Sequence, residues 1–165
     1  MSFRFLYPLL DAGCAASDRI AAPSPPQSFD HEADCVIVFT ISTLPASGPI
    51  LIRFRKQDSS NFWYASATAT GSLQIYEYVA GMPAVRGATA AGVLSGGERV
   101  VVVCHDETIE GYYDGVQAWT YGSATNFKTA VSGEVNSFGV GGLLSDLAAW
   151  PYPCGLSKAG LTLTP

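Results

Sequence analysis

Acid pairs, histidines and cysteines set what chemistry this 165-residue chain can do. Cleaving a glycosidic bond takes two carboxylates, about 5–5.5 Å apart for retention or about 6.5–9.5 Å for inversion. On a strand, acids at alternate positions share a face. Glu32-Ala33-Asp34 begins such a pattern, but the next alternate position is Val36, and the segment leads into an apolar strand. Glu107 and Glu110 are three apart, which puts them on opposite faces of an extended chain. His31 and His105 have no nucleophile motif such as G-x-S-x-G near them. The expectation is that the chain is not an enzyme.

Metal sites show close Cys or His pairs. Cys104-His105 is the one such neighbour pair, and on a strand its side chains point apart. Cys104 ends the run Val100-Val101-Val102-Val103 and reads as a small core residue. Calcium at the Asp58/Asn61 turn or near Asp114 is better explained by turn chemistry. No metal and no cofactor are expected.

Aromatic side chains with polar neighbours offer binding instead. On one face of a strand over Ser72 to Val79 stand Gln74, Tyr76 and Tyr78; Tyr112 with Glu110 shares another face, and Trp63 adds a third aromatic. Rings on a sheet surface stack on sugars while amides and carboxylates bond hydroxyls. These five residues, Tyr76, Tyr78, Tyr112, Trp63 and Gln74, are the candidate carbohydrate site. Half-buried tyrosines are also ordinary furniture of a sheet, so the pattern competes with simple packing.

The elements that would position them are strands. The chain is 48% hydrophobic and 14% charged, with 17 Gly and 10 Pro, and no stretch keeps a helical period. Cys35 to Ile41 is apolar on both faces and predicts a buried central strand. Pro49 to Arg55 alternates, predicting Ile50, Ile52 and Phe54 inside and Arg53 and Arg55 outside. Further strands are predicted over Phe62 to Thr70, Ser72 to Val79, with Leu73, Ile75 and Val79 on its other face, Arg99 to Cys104, Thr108 to Tyr113, Val116 to Tyr121, Gly133 to Gly142 and Asp146 to Trp150. Asp114-Gly115 marks a tight hairpin. The fold class is all-β, an antiparallel β-sandwich.

Residues 1–28 read differently. Phe3, Phe5, Leu6 and Tyr7 form a short strand-like run, and Pro23-Ser24-Pro25-Pro26 imposes stiff, extended backbone. This predicts an N-terminal extended arm and linker over 1–28, a domain over 29–153 and a tail over 154–165; the competing reading makes the segment a first strand of the sandwich. The apolar stretch near the N-terminus, interrupted by Pro8, is too short for a signal peptide. Cys14, Cys35, Cys104 and Cys154 allow three disulfide pairings, and the absence of a signal favours free thiols.

Net charge is −5, and the densest basic cluster is Arg53, Arg55 and Lys56, predicted as a solvated strand edge, so no nucleic-acid partner is expected. No segment is long and apolar enough to predict a membrane span. The three lysines, Lys56, Lys128 and Lys158, are few for a solitary soluble domain, which suggests a surface covered by other protein subunits.

Several motifs carry a family resemblance. FRKQDSSNFWY (Phe54 to Tyr64) followed by GSLQIYEYVAG (Gly71 to Gly81) resembles the early strands of concanavalin A-like, laminin G-like jelly rolls. Gly97 to Val103 with Thr108 to Val116 is similar to that family's "W-x-x-V-x-V…I-x-V-Y-V-D-G" double hairpin, with Arg99 or a neighbour where an aromatic often stands. Phe138 to Gly142 and Asp146 to Trp150 resemble its closing strand. The resemblance spans residues 29–153 and implies a jelly roll. That superfamily holds carbohydrate-binding modules, adhesive domains, glycoside hydrolases and parts of virus particles, so it implies a fold rather than an activity. Combined with the arm and the scarce charge, it leads to the expectation of a non-enzymatic structural protein of a virion, a bacteriophage capsid decoration protein. Phe3, Phe5, Leu6 and Tyr7 would anchor it to neighbouring subunits in a homo-oligomer. The alternative is a carbohydrate-binding or adhesion module, extracellular or at a cell surface and including a phage tail or fibre receptor-binding domain, with a glycan as partner; a glycoside hydrolase ranks last.

Overall fold

The computed structural model describes residues 15–21, 23–153 and 155–161. In chain order the strands are β1 (Asp18–Ile20), β2 (Gln27–Asp30), β3 (Cys35–Thr43), β4 (Ile50–Phe54), β5 (Phe62–Ala67), β6 (Leu73–Val79) and β7 (Met82–Ala88). There follow β8 (Arg99–His105), β9 (Thr108–Tyr113), β10 (Val116–Tyr121), β11 (Ser132–Ser137), β12 (Leu143–Pro151) and one helical turn, α1 (Gly155–Lys158). They form two six-stranded sheets, sheet A in the order β1-β12-β3-β8-β9-β10 and sheet B in the order β2-β11-β4-β5-β6-β7. Every pairing is antiparallel. The protein is an all-β sandwich, as its alternating patterns predict.

Alternation builds the core between the sheets. Ile50, Ile52 and Phe54 of β4 meet Ile37, Phe39 and Ile41 of β3, with Ile75, Val100, Val102, Ile109 and Leu147 around them. Two aromatic rings fit only because a glycine faces them. A Cβ on Gly133 would stand 2.2 Å from the Phe29 ring, and one on Gly111 would stand 2.2 Å from the Trp119 ring. Apolar surface this well packed supplies most of the fold's stability, at about 25 cal/mol per Å² removed from water.

The structure departs from the sequence reading in three places. The described part of residues 1–28 is not a separate arm, because β1 pairs with β12 and β2 pairs with β11, one edge strand for each sheet. The proline segment is the crossing between the two sheets. The anchor residues Phe3, Phe5, Leu6 and Tyr7 lie outside the described residues.

The second departure is Arg55, expected outside and in fact fully buried. Strand β4 ends at Phe54, and Arg55 takes a left-handed φ of 44°, which breaks the alternation and turns its side chain inward. Its guanidinium donates to the carbonyls of Ala33 (3.2 Å) and Asp106 (2.9 Å) and pairs with Asp34 at 3.6 Å. Buried without these partners, the charge would be prohibitive. Beside it, buried His31 accepts the Arg55 backbone N–H at Nε2 (3.0 Å), while Nδ1 lies 2.7 Å from the Glu32 carbonyl. Burial lowers the His31 pKa below its ordinary 6.5.

The third is the chain after Tyr152. Leu156 and Ala159 are buried against Val36, Val38, Val101 and Val103 on the outer face of sheet A. Residues 155–161 are thus part of the fold, and the rest of the tail expected over 154–165 lies outside the described residues.

Candidate functional site

The outer face of sheet B carries the most concentrated aromatic surface. Antiparallel register aligns one row across it, with Glu134 opposite Arg53, Arg53 opposite Tyr64, Tyr64 opposite Tyr76 and Tyr76 opposite Val85. To one side runs the row Leu51, Ser66, Gln74 and Ala88. To the other side Phe62 faces Tyr78. These side chains lie on the outer side of the sheet, where Phe62 and Ser66 are themselves covered by their neighbours, because Ile52, Ala65 and Ile75 fill the core.

Ring contacts fix the tyrosines in place. Tyr64 and Tyr76 stack with centroids 4.7 Å apart and planes 5° from parallel. Phe62 and Tyr78 stack at 4.6 Å, and Tyr64 meets Tyr78 edge-on at 6.4 Å. Such pairs are worth about 0.5–1.5 kcal/mol beyond their burial, so the face is preorganised. The Arg53 guanidinium lies 4.3 Å over the Phe62 ring and bonds Glu134 at 3.3 Å; Lys56 bonds the same carboxylate at 2.6 Å.

Beside the Tyr64–Tyr76 pair runs an open groove of about 410 Å³, lined among others by Leu51, Tyr64, Ser66, Thr70, Gln74 and Tyr76. The Tyr76 hydroxyl donates to Gln74 Oε1 at 2.8 Å, which orients the amide. Burial, followed by the neighbouring Tyr76 and Tyr78, pushes the Tyr64 pKa up to about 12, so this phenol stays a neutral donor. No carboxylate is among the groove's lining residues, so the arrangement presents rings and neutral hydrogen-bonding groups without an acid–base pair. Among the described residues no three His, Cys, Asp or Glu side chains gather to hold a metal ion, and no helix is long and apolar enough to cross a membrane.

The five residues singled out from the sequence are divided. Tyr76, Tyr78 and Gln74 share the sheet B outer face. Trp63 is fully buried on the inner side of β5, where its Nε1 donates to the Asn126 carbonyl at 2.9 Å. Asn126 in turn donates to Glu77 at 2.6 Å, and Arg86 bonds the same buried carboxylate at 2.9 Å, so this network ties the loop after β10 to sheet B. Tyr112 stands on the outer face of sheet A, the opposite side of the molecule, donating to Glu110 at 2.8 Å. Burial, then the Glu110 contact, raises its pKa.

Sequence reasoning missed Tyr64, Ser66 and Phe62. The signal lay in the alternation of Phe62-Trp63-Tyr64, which places Phe62 and Tyr64 together and Trp63 apart. Only the pairing of β5 with β4 and β6 decides which of the two sets faces the core.

Neither a family model nor a curated protein matches this sequence. Solved structures do match in shape. Galectin LEC-6 of Caenorhabditis elegans superposes with a TM-score of 0.64 at 10% identity, covering 83% of this chain and 99% of the galectin. The carbohydrate-binding module CBM66 of Bacillus subtilis gives 0.54 at 12% identity over 76% of this chain and 74% of the module. The CBM40 module of the Ruminococcus gnavus IT-sialidase, bound to α2,3 sialyllactose, gives 0.57 at 9% identity, with 82% and 91% covered. At these identities the likeness shows the fold alone, a two-sheet jelly roll.

Proposed function

We propose that this domain binds carbohydrate, without catalysis, through the tyrosine groove on the outer face of sheet B. The observation that carries this reading is the groove itself. Stacked Tyr64 and Tyr76 rings stand beside half-buried Gln74 and exposed Thr70 along an open groove. A pyranose ring has an apolar C–H side that packs on aromatic carbon and a rim of hydroxyls that amides and alcohols bond. Solved structures of the same shape include galectins and carbohydrate-binding modules, one bound to sialyllactose, which supports a glycan as the partner.

The reading as a virion subunit has less to stand on. Its anchor residues lie outside the described residues, and the segment that follows them is built into the sandwich. A location outside the cell or at its surface accords with glycan binding.

A glycan array with the full chain is the test. Binding to at least one oligosaccharide is expected, and Tyr76→Ala should weaken it at least about tenfold, the effect of losing a ring contact of roughly 1.4 kcal/mol. Tyr112→Ala, on the opposite face, should leave it unchanged. Equal loss from both variants would place the binding elsewhere.

A further inference from the structure

We infer that the groove takes an uncharged saccharide, not an acidic one. This rests on the carbohydrate-binding reading above and deepens it to a ligand class. None of the residues lining the groove is charged at neutral pH. Its apolar walls come from Leu51, Tyr64 and Tyr76. Its polar groups include the hydroxyls of Tyr64, Thr68 and Thr70, that of buried Ser66, and the Gln74 amide, whose oxygen accepts from Tyr76 and whose N–H groups make no hydrogen bond among the described residues.

Two cations on this face, Arg53 and Lys56, are already engaged by Glu134. Antiparallel register sets Leu51 and Ser66 on one side of the Arg53–Tyr64 row and Phe62 on the other. The Arg53 guanidinium leans over Phe62 and is held by Glu134, which also holds Lys56. A carboxylate or sulfate entering the groove would shed water, which is costly, and meet no cation among the lining residues, since Arg53 beside Tyr64 is already paired with Glu134. Sugar hydroxyls exchange water for neutral partners of the same kind at little net cost. Burial raises the Tyr64 pKa to about 12, so this phenol stays a neutral donor in the groove.

The experiment uses the full chain on an immobilised panel of neutral oligosaccharides (lactose, maltotriose, cellotriose, xylotriose, mannotriose) beside acidic ones (3′-sialyllactose, trigalacturonic acid, a sulfated galactose oligomer). The tightest binder is then titrated by calorimetry. Expected is binding to a neutral member that changes less than about twofold between about pH 5 and about pH 9, because the lining holds no carboxylate, imidazole, thiol or amine. It should be equally indifferent to salt. Gln74→Ala should weaken it about tenfold, and Arg53→Gln should leave it unchanged. Preference for an acidic member, with loss in high salt or in Arg53→Gln, overturns the uncharged class and leaves carbohydrate binding standing. Silence across the whole panel overturns both.

Discussion

The outer faces of the two sheets share a strand geometry and differ in what their side chains can tolerate. On sheet A, Val36, Val38, Val101 and Val103 make a patch with no polar atom, and Leu156 and Ala159 cover it. On sheet B, Tyr64, Tyr76 and Tyr78 stay half-buried beside an open groove. The valine patch loses by facing water, so the chain's own C-terminal segment folds over it. The tyrosines bring a hydroxyl to each ring, so they can stack with one another and still meet solvent. The valine patch of one sheet is covered by the chain itself, and the tyrosine face of the other stands open to solvent.

The sharpest way to break that contrast is to place the same charge on each face. Val101→Asp should cost more than about 4 kcal/mol in urea denaturation and leave much of the protein unfolded, since the carboxylate is buried without a partner. Tyr76→Asp should cost only about 1 kcal/mol, the loss of one ring stack, because its charge reaches water. Similar costs at both positions would mean that the sheet A patch is not sealed. Leu156→Ala, which thins the cover without adding charge, should cost about 2–3 kcal/mol by the same measurement.

The interior between the faces offers a smaller, pH-dependent effect. The pKa of His31 is lowered below 6.5, chiefly by burial and also by the Arg55 charge, while the carbonyls of Glu32 and Ser132 and the carboxylate of Asp30 pull the other way. The folded state therefore binds fewer protons here than the unfolded one. This contribution to stability is complete above pH 6.5 and falls away as the pH drops toward the folded value. Equilibrium unfolding across that range should show the decline in the native protein and a flatter profile in His31→Gln. Identical slopes in the two proteins would remove His31 from the account.

Much of this molecule was legible before folding. The two-sided apolar runs at Cys35 to Ile41 and Val100 to Cys104 became adjacent central strands, β3 and β8. Asp114 and Gly115 both take positive φ, 46° and 79°, in the hairpin their types announce. The grouping of Gln74, Tyr76 and Tyr78 followed from a period of two. Tertiary structure decided the rest. Alternation says which residues share a face but not which face is interior, and that choice falls to partners far along the chain. Trp63 is core and Tyr64 is surface because β5 is held between β4 and β6. Tyr112 lies on the other side of the molecule from Tyr76 because β9 joins sheet A. Arg55 is inside because one left-handed residue at a strand end reverses the pattern, and the carbonyls that make its burial bearable, those of Ala33, Asp106 and Ala124, come from three separate loops.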